Sequence, residues 1–294
     1  MDDFLLGFIQ NTIRTMIPIC IASTGAVFSA RVGIMALGLE GMMLVGAFGA
    51  AYGSFLTGDA IIGIVMGVLF GGSIGLIHGI LTTKYDVNHI ISGVGLNLLA
   101  AGLTTLLLQG VWGNRGNGEM VPTLKPFHVP ILGRVSPLLI VMILLVIGAH
   151  IFLFKTKYGL RMRMVGENPT AASTVGINVV RTKYIGATLT GLISGLAGSY
   201  LSIDLLNMFA RDMTAGRGYM AVCANVLGRY TPMGAFMSSL LFGGADALQM
   251  MMQGKAISNR LIQMLPYVVT MIALIFAGKY VRAPKGLGEN IEHN

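Results

Sequence analysis

Charge is what this chain has least of. Asp, Glu, Lys and Arg make up only 11% of its 294 residues, against 54% hydrophobic, and the mean hydropathy is +0.75. Soluble domains carry about 25% charged residues, so too little charge is present to cover a surface facing water. Cysteine is almost missing as well. Cys20 and Cys223 both lie in apolar runs, far from any CxxC or Cys/His spacing, which argues against a disulfide framework or a zinc site. No GxxxxGK[ST] loop is present to cradle ATP phosphates, nor any HExxH, and the acidic pair Asp2-Asp3 stands at the terminus without a partner cluster. No catalytic residue, metal ligand or cofactor is therefore expected. The same acidic start, where a basic one would be needed, gives no sign of a cleavable signal.

What the chain does have is long apolar runs. About 20 apolar residues cross the hydrocarbon of a bilayer, and runs near that length fall at 13–30, 33–55, 60–83, 89–111, 137–154, 184–206, 233–252 and 261–278, with a shorter one at 217–227. They do not alternate in polarity, which excludes a porin-like barrel. Forty-one glycines and 20 methionines suit helices packed closely in lipid. The expected fold is an all-α polytopic membrane protein, a bundle of about nine (8–10) transmembrane helices in a single domain over 1–294. The second run is interrupted by Gly38, Glu40 and Gly41.

The net charge of +8 could suggest nucleic acid, but cations flanking apolar spans are the signature of loops facing anionic lipid. Arg31, Lys84, Lys155, Lys157, Arg161, Arg163, Arg181, Lys183, Arg229, Lys279, Arg282 and Lys285 gather on one side of the alternating loops. Arg115, Lys125, Arg134, Arg211, Arg217, Lys255 and Arg260 gather on the other. The positive-inside rule puts the first group in the cytoplasm. The C-terminus and the loop 155–183 are then cytoplasmic, and the loop 112–136 and the N-terminus external. Sliding the chain against itself aligns Leu69-Phe70-Gly71-Gly72 with Leu241-Phe242-Gly243-Gly244, and Leu76 with Leu248. Opposite directions for the two copies would make the halves an inverted repeat, a common transporter plan.

The most basic loop holds a short helix signal. Asn168 suits an N-cap and Pro169 the first turn, Ala171 and Ala172 continue the helix, and Gly176 can end it in the left-handed region. By residues alone this is equally an amphipathic connector. With Gly38-Leu39-Glu40-Gly41-Met42-Met43 and Gly95-Leu96-Asn97-Leu98-Leu99-Ala100, however, the segment Gly166–Gly176 resembles the permease subunits of bacterial ABC importers for branched-chain amino acids, ribose-type sugars and nucleosides. The Gly-Leu-Glu-Gly-Met-Met form is most similar to the nucleoside and simple-sugar branch, although Ala36-Leu37 stands where that branch more often has Asn-Ile.

The resemblance implies a permease of the bacterial plasma membrane that moves a small solute, a nucleoside first and a simple sugar or branched-chain amino acid next. It implies three partners: a separate ABC ATPase, a second permease subunit of different sequence, and an external solute-binding protein. Gly166, Glu167, Asn168, Pro169, Ala171, Ala172, Gly176 and Ile177 become the element that couples to the ATPase, the small alanines seated in its cleft. Glu40, Asn97, Asp246 and Gln249 are candidate pathway residues, because an ionisable or amide side chain within an apolar span is either functional or paired. For Glu40 both readings stand, and Asp204 is either a similar candidate or a residue at a helix end near the outer interface. His78 and His89 read as packing residues. A self-sufficient channel or ion-coupled transporter is the competing class, and it would call for more intramembrane acidic or histidine relays than these.

Overall fold

The computed structural model describes residues 2–129, 133–253, 262, 264–277 and 282–289. Within them the helices are α1 (Asp2–Ala30), α2 (Leu39–Thr57), α3 (Ala60–Thr83), α4 (His89–Trp112), α5 (Pro137–Lys155), α6 (Lys157–Glu167), α7 (Pro169–Thr174), α8 (Val179–Ser199), α9 (Arg217–Leu227), α10 (Pro232–Met252) and α11 (Leu265–Ala277). A π-helical turn, Tyr200–Leu205, continues α8. The turns between helices are short because polar side chains stop and start them. Asp59, Asn88, Ser136, Thr156, Asn168, Asn178 and Thr231 each accept a backbone N–H of the helix that follows, satisfying donors that a helix start leaves unpaired.

Every predicted run contains a helix, those at 60–83 and 217–227 with the expected ends and the others with shifted ones. The first starts at Asp2 instead of 13, and the second starts at Leu39 instead of 33. Part of the last run, and with it Lys255, Arg260 and Lys279, lies outside the described residues. The loop 112–136 adds one feature to the all-helical expectation, a small antiparallel hairpin in which β1 (Phe127–Val129) pairs with β2 (Gly133–Val135).

Among the described residues five helices, Phe4–Ala30, Leu39–Thr57, Ala60–Thr83, His89–Trp112 and Pro137–Lys155, are long and apolar enough to cross a membrane. Helices α8 and α10 have the length but a more polar composition, for a physical reason. Thr190, Ser194 and Ser199 of α8 and Ser238, Ser239 and Asp246 of α10 are buried against other helices, so these residues never meet lipid. Helices α3, α4 and α5 instead leave large apolar side chains such as Leu69, Leu98, Leu106 and Leu144 on the outside, as helices facing lipid do.

The halves of the bundle are an inverted repeat. Helix α1 packs on α10 and α3 on α8; α1 meets α8; α2 meets α8 while α9 meets α1; α2 lies on α3 and α9 on α10; α4 touches α2 and α3 while α11 touches α9 and α10. Exchanging α1–α4 for α8–α11 leaves this pattern unchanged. The copied glycines occupy equivalent joints. A Cβ on Gly71 of α3 would lie 2.5 Å from the Cα of Gly195 on α8, and one on Gly243 of α10 would lie 2.6 Å from the Cβ of Met16 on α1. Such close approach gives dispersion contact where no water drives association.

The loops collect at two ends. At the basic end, the Arg31 guanidinium donates to the Tyr230 carbonyl (2.8 Å) and the Lys183 ammonium to the Glu289 carbonyl (3.1 Å). There the Gly286 and Gly288 amides also bond the Gly166 and Gly33 carbonyls, each at 2.9 Å. Burial lowers the Arg31 pKa, and the Glu167 carboxylate partly opposes that shift. At the opposite end Gly118 and Val121 donate to the Phe209 and Asn207 carbonyls, and Ser54 to Pro122.

Candidate functional site

Helix α9 has 11 residues, about 16 Å at 1.5 Å per residue, roughly half of a 30 Å hydrocarbon core. Its C-terminal side is at the basic end, where Gly228 through Thr231 turn the chain beside Arg31. The rest of that crossing, residues 206–216, comes in from the opposite end without helix and with left-handed backbone at Asn207, Asp212, Ala215 and Gly216. The crossing is therefore broken and α9 begins inside the bundle. Helix α2 is its inverted counterpart, reached from the basic end through the nonhelical stretch 34–38.

A helix start buried in protein needs acceptors for its free N–H groups. Glu40 supplies them across the gap: its carboxylate oxygens accept the amides of Gly216 (2.8 Å) and Gly218 (2.7 Å). The carboxylate lies at the start of α9 while Glu40 itself sits in the first turn of α2, and a helix N-terminus favours negative charge. Gly218 has no room for a side chain, since a Cβ there would lie 2.5 Å from the Glu40 Cα. Asn97 of α4 repeats the device for α2. Its Oδ1 accepts the Gly41 amide (2.8 Å), and its Nδ2 donates to the Leu37 carbonyl (2.9 Å) and the Tyr219 hydroxyl oxygen (3.0 Å).

Asp246 of α10 joins from the third side, 3.7 Å from the Arg217 guanidinium at the start of α9, both side chains being largely buried. This corrects the placing of Arg217 among the cations of an outer loop: it lies within the bundle because the crossing is helical only from that residue onward. Glu40, Asn97 and Asp246 thus form one network through the start of α9. Gln249, half-buried one turn further along α10, takes no part in it.

His78 and His89, whose pattern in the sequence is that of packing residues, and Tyr219, which carries no signal there, belong to the same region. Both His78 ring nitrogens are engaged, Nδ1 with the Ser92 hydroxyl (2.9 Å) and Nε2 with the Met35 carbonyl (2.9 Å), while His89 Nδ1 accepts the Met35 amide (3.3 Å). The two histidines pin the nonhelical approach to α2, which has no helical partners for its backbone groups. Tyr219 is half exposed at 46% with its hydroxyl on Asn97. Asp204 lies elsewhere, on the π-helical turn, beside a cavity of about 410 Å³ shared with Arg14 and Asn207.

The basic end carries the second predicted element. Helix α7 has the expected form: the Asn168 Oδ1 accepts the Ala171 amide (2.9 Å), Pro169 opens the helix, and Gly176 follows its end at φ +80°. The eight coupling candidates face different ways. Glu167, Asn168, Ala171 and Gly176 are exposed, and Pro169 and Ile177 are half-buried. Gly166 and Ala172 are buried, which corrects the expectation that both alanines face a cleft in a partner. Ala172 is enclosed by this chain's own core, in the cluster of Val27, Phe28, Val32 and Met162. Gly166 closes against the Arg31 carbonyl, which a Cβ would strike. The outward surface of α7 is Thr170, Ala171, Ser173 and Thr174, continued by Val175, which is 63% exposed.

Two inverted halves, each with a helix that begins inside the bundle, define a polytopic membrane protein of transporter type. The model of the branched-chain amino acid transport system permease component matches residues 8–274, and the chain belongs to that family. It is 35% identical to the nucleoside ABC transporter permease protein NupC of Lactococcus lactis, over 96% of this chain and 95% of that one. It is 33% identical to the guanosine ABC transporter permease protein NupQ of Bacillus subtilis, over 92% of each. It is also similar, at 32% identity over 87% of this chain and 80% of the other, to the putative glucose ABC transporter permease protein TsgC13 of Haloferax volcanii.

Proposed function

We propose that this chain is one permease subunit of a bacterial plasma-membrane ABC importer for nucleosides, working by alternating access, with its whole length of 1–294 forming one membrane domain. The broken crossings joined by Glu40 carry the reading. Two helices that start inside the bundle, joined there by the Glu40 carboxylate and the Asn97 amide, can move as units while their backbone groups stay satisfied, which is what a bundle opening alternately to two sides requires. The similarity to nucleoside and guanosine permeases over more than nine-tenths of the chain supports the substrate class.

The energy source in this reading is a separate ABC ATPase docked on the outward face of α7, flanked by Glu167 and Gly176, so that closure of the ATPase pair moves α7 against the bundle. The basic end is then cytoplasmic and holds the C-terminus and loop 155–183, with loop 112–136 facing an external solute-binding protein. A second, different permease subunit completes the pathway. Glu40, Asn97 and Asp246 hold the helix starts of α2 and α9 that shape it, and Tyr219 and Gln249 are the nearby polar groups less fully enclosed.

Uptake of radiolabelled guanosine by cells expressing the full importer tests the substrate. Unlabelled nucleosides should abolish it, and ribose, glucose or leucine in hundredfold excess should not. Absence of labelled guanosine uptake, with uptake of labelled glucose or leucine by the same importer, would overturn the nucleoside assignment and leave the permease reading intact.

A further inference from the structure

A groove of about 900 Å³ runs along the basic end between α6 and α8, past the end of α7. Its lining is partly cationic and partly apolar. Lys157 and Arg161 of α6 and Arg181 of α8 are all exposed, and no Asp or Glu lines the groove. Phe152, near the end of α5, Leu160 of α6 and Ile185, two turns into α8, form the apolar part. Helix α6 follows α5 immediately, and α5 is one of the helices apolar enough to cross a membrane, so α6 lies at the level where lipid headgroups begin. It is built for that level. Its outer face mixes Lys157 and Arg161 with Tyr158, 67% exposed, and Leu160, 51% exposed, and the Arg161 guanidinium stacks 5.9 Å from the Tyr158 ring centroid. Amphipathic helices at a membrane surface combine apolar, aromatic and cationic side chains in this way.

We infer that the groove is a specific site for an anionic glycerophospholipid, its phosphate among Lys157, Arg161 and Arg181 and an acyl chain along Phe152, Leu160 and Ile185. Charge complementarity selects an anion, and the apolar run into the spans selects one carrying a hydrocarbon chain. Basic pockets between membrane helices take lipid headgroups by this chemistry. Val175, Gly176 and Ile177 line the same groove, so a bound lipid abuts the end of α7 and braces it. The inference does not rest on the transport reading, because it requires only that this end of the bundle lies at a membrane surface.

The test is native mass spectrometry of the full chain in detergent, titrated with dioleoyl phosphatidylglycerol or, separately, dioleoyl phosphatidylcholine. One phosphatidylglycerol should bind with clear preference. Arg161→Gln with Arg181→Gln should weaken it about 25-fold, at roughly fivefold per cation. Arg161→Lys with Arg181→Lys should retain most of the binding, and Lys84→Gln, a cation of the same end outside the groove, should leave it unchanged. Equal binding of the two lipids would overturn the inference, as would full phosphatidylglycerol binding by the double glutamine variant. Loss of ATPase co-purification in that variant with lipid binding unchanged would assign the groove to a protein partner instead. A thermal melt of each variant separates a lost site from a lost fold, and a double glutamine variant that is unfolded passes the decision to Ile185→Asn, which should weaken phosphatidylglycerol through the apolar half.

Discussion

Glu40 accepts the amides of Gly216 and Gly218, 176 and 178 residues later in the chain, and nothing near it in sequence announces that partner. Its neighbours do indicate a break: Gly38 and Gly41 flank it in an apolar run, and the helix begins at Leu39. In Glu40→Gln the new amide nitrogen cannot accept the Gly218 N–H, and the negative charge at the α9 start is lost. The expected cost is about 2 kcal/mol, read as a melting temperature roughly 3 °C lower with reduced uptake. An unchanged melt with a raised KM for nucleoside would make Glu40 a substrate contact and not a brace. Asn97→Ala removes partners from both the Gly41 amide and the Leu37 carbonyl, and should destabilise by about 2–4 kcal/mol in the same melt. Asn97 and Asp246 could be picked from sequence as polar groups in apolar runs, but Arg217 could not be joined to Asp246. Its ion pair exists only because the half-helix starts inside the bundle, a fact of tertiary structure.

At the scale of elements, α7 was the most legible part, because a cap, a first-turn proline and a terminal glycine are local signals. Which face of so short a helix turns outward was not legible, since adjacent alanines are equivalent until the core is known. The structure separates them into opposite expectations. Ala171→Trp points outward and should leave insertion and abundance normal while abolishing ATPase co-purification. Ala172→Trp overpacks the core between α1 and α6 and should lower the abundance of the chain itself, at a cost of about 1–3 kcal/mol or more. Quantitative membrane blots with co-purification check both, and the opposite outcome would place the docking face on the Ala172 side. Gly176→Val introduces a β-branched residue at φ +80°, a conformation it strongly disfavours, and should shift α7 enough to reduce uptake at normal abundance. The broken approach 34–38 was less legible: His78 and His89 read as packing because their common partner, the backbone of Met35, carries no side-chain signal.

For the whole molecule, five repeated letters point to an inverted repeat, and the main packing contacts among the described residues of α1–α4 and α8–α11 follow it. Letters identify the equivalent helices, whereas the exchange of partners between halves, α3 onto α8 and α10 onto α1, follows from close-approach surfaces that only the assembled glycines define. The orientation is testable in a variant lacking Cys20 and Cys223. Single cysteines at Asn117 or Thr123 should react with an impermeant thiol reagent from outside, and cysteines at Thr174 or Lys157 should not; the reverse pattern would invert the topology. The most direct measurement is nucleoside uptake into proteoliposomes holding this chain, its partner permease and the ATPase, fed by the binding protein. Uptake should require ATP and cease when the ATPase is omitted, whereas nucleoside uptake by this chain alone under an ion gradient would contradict an ATP-driven permease.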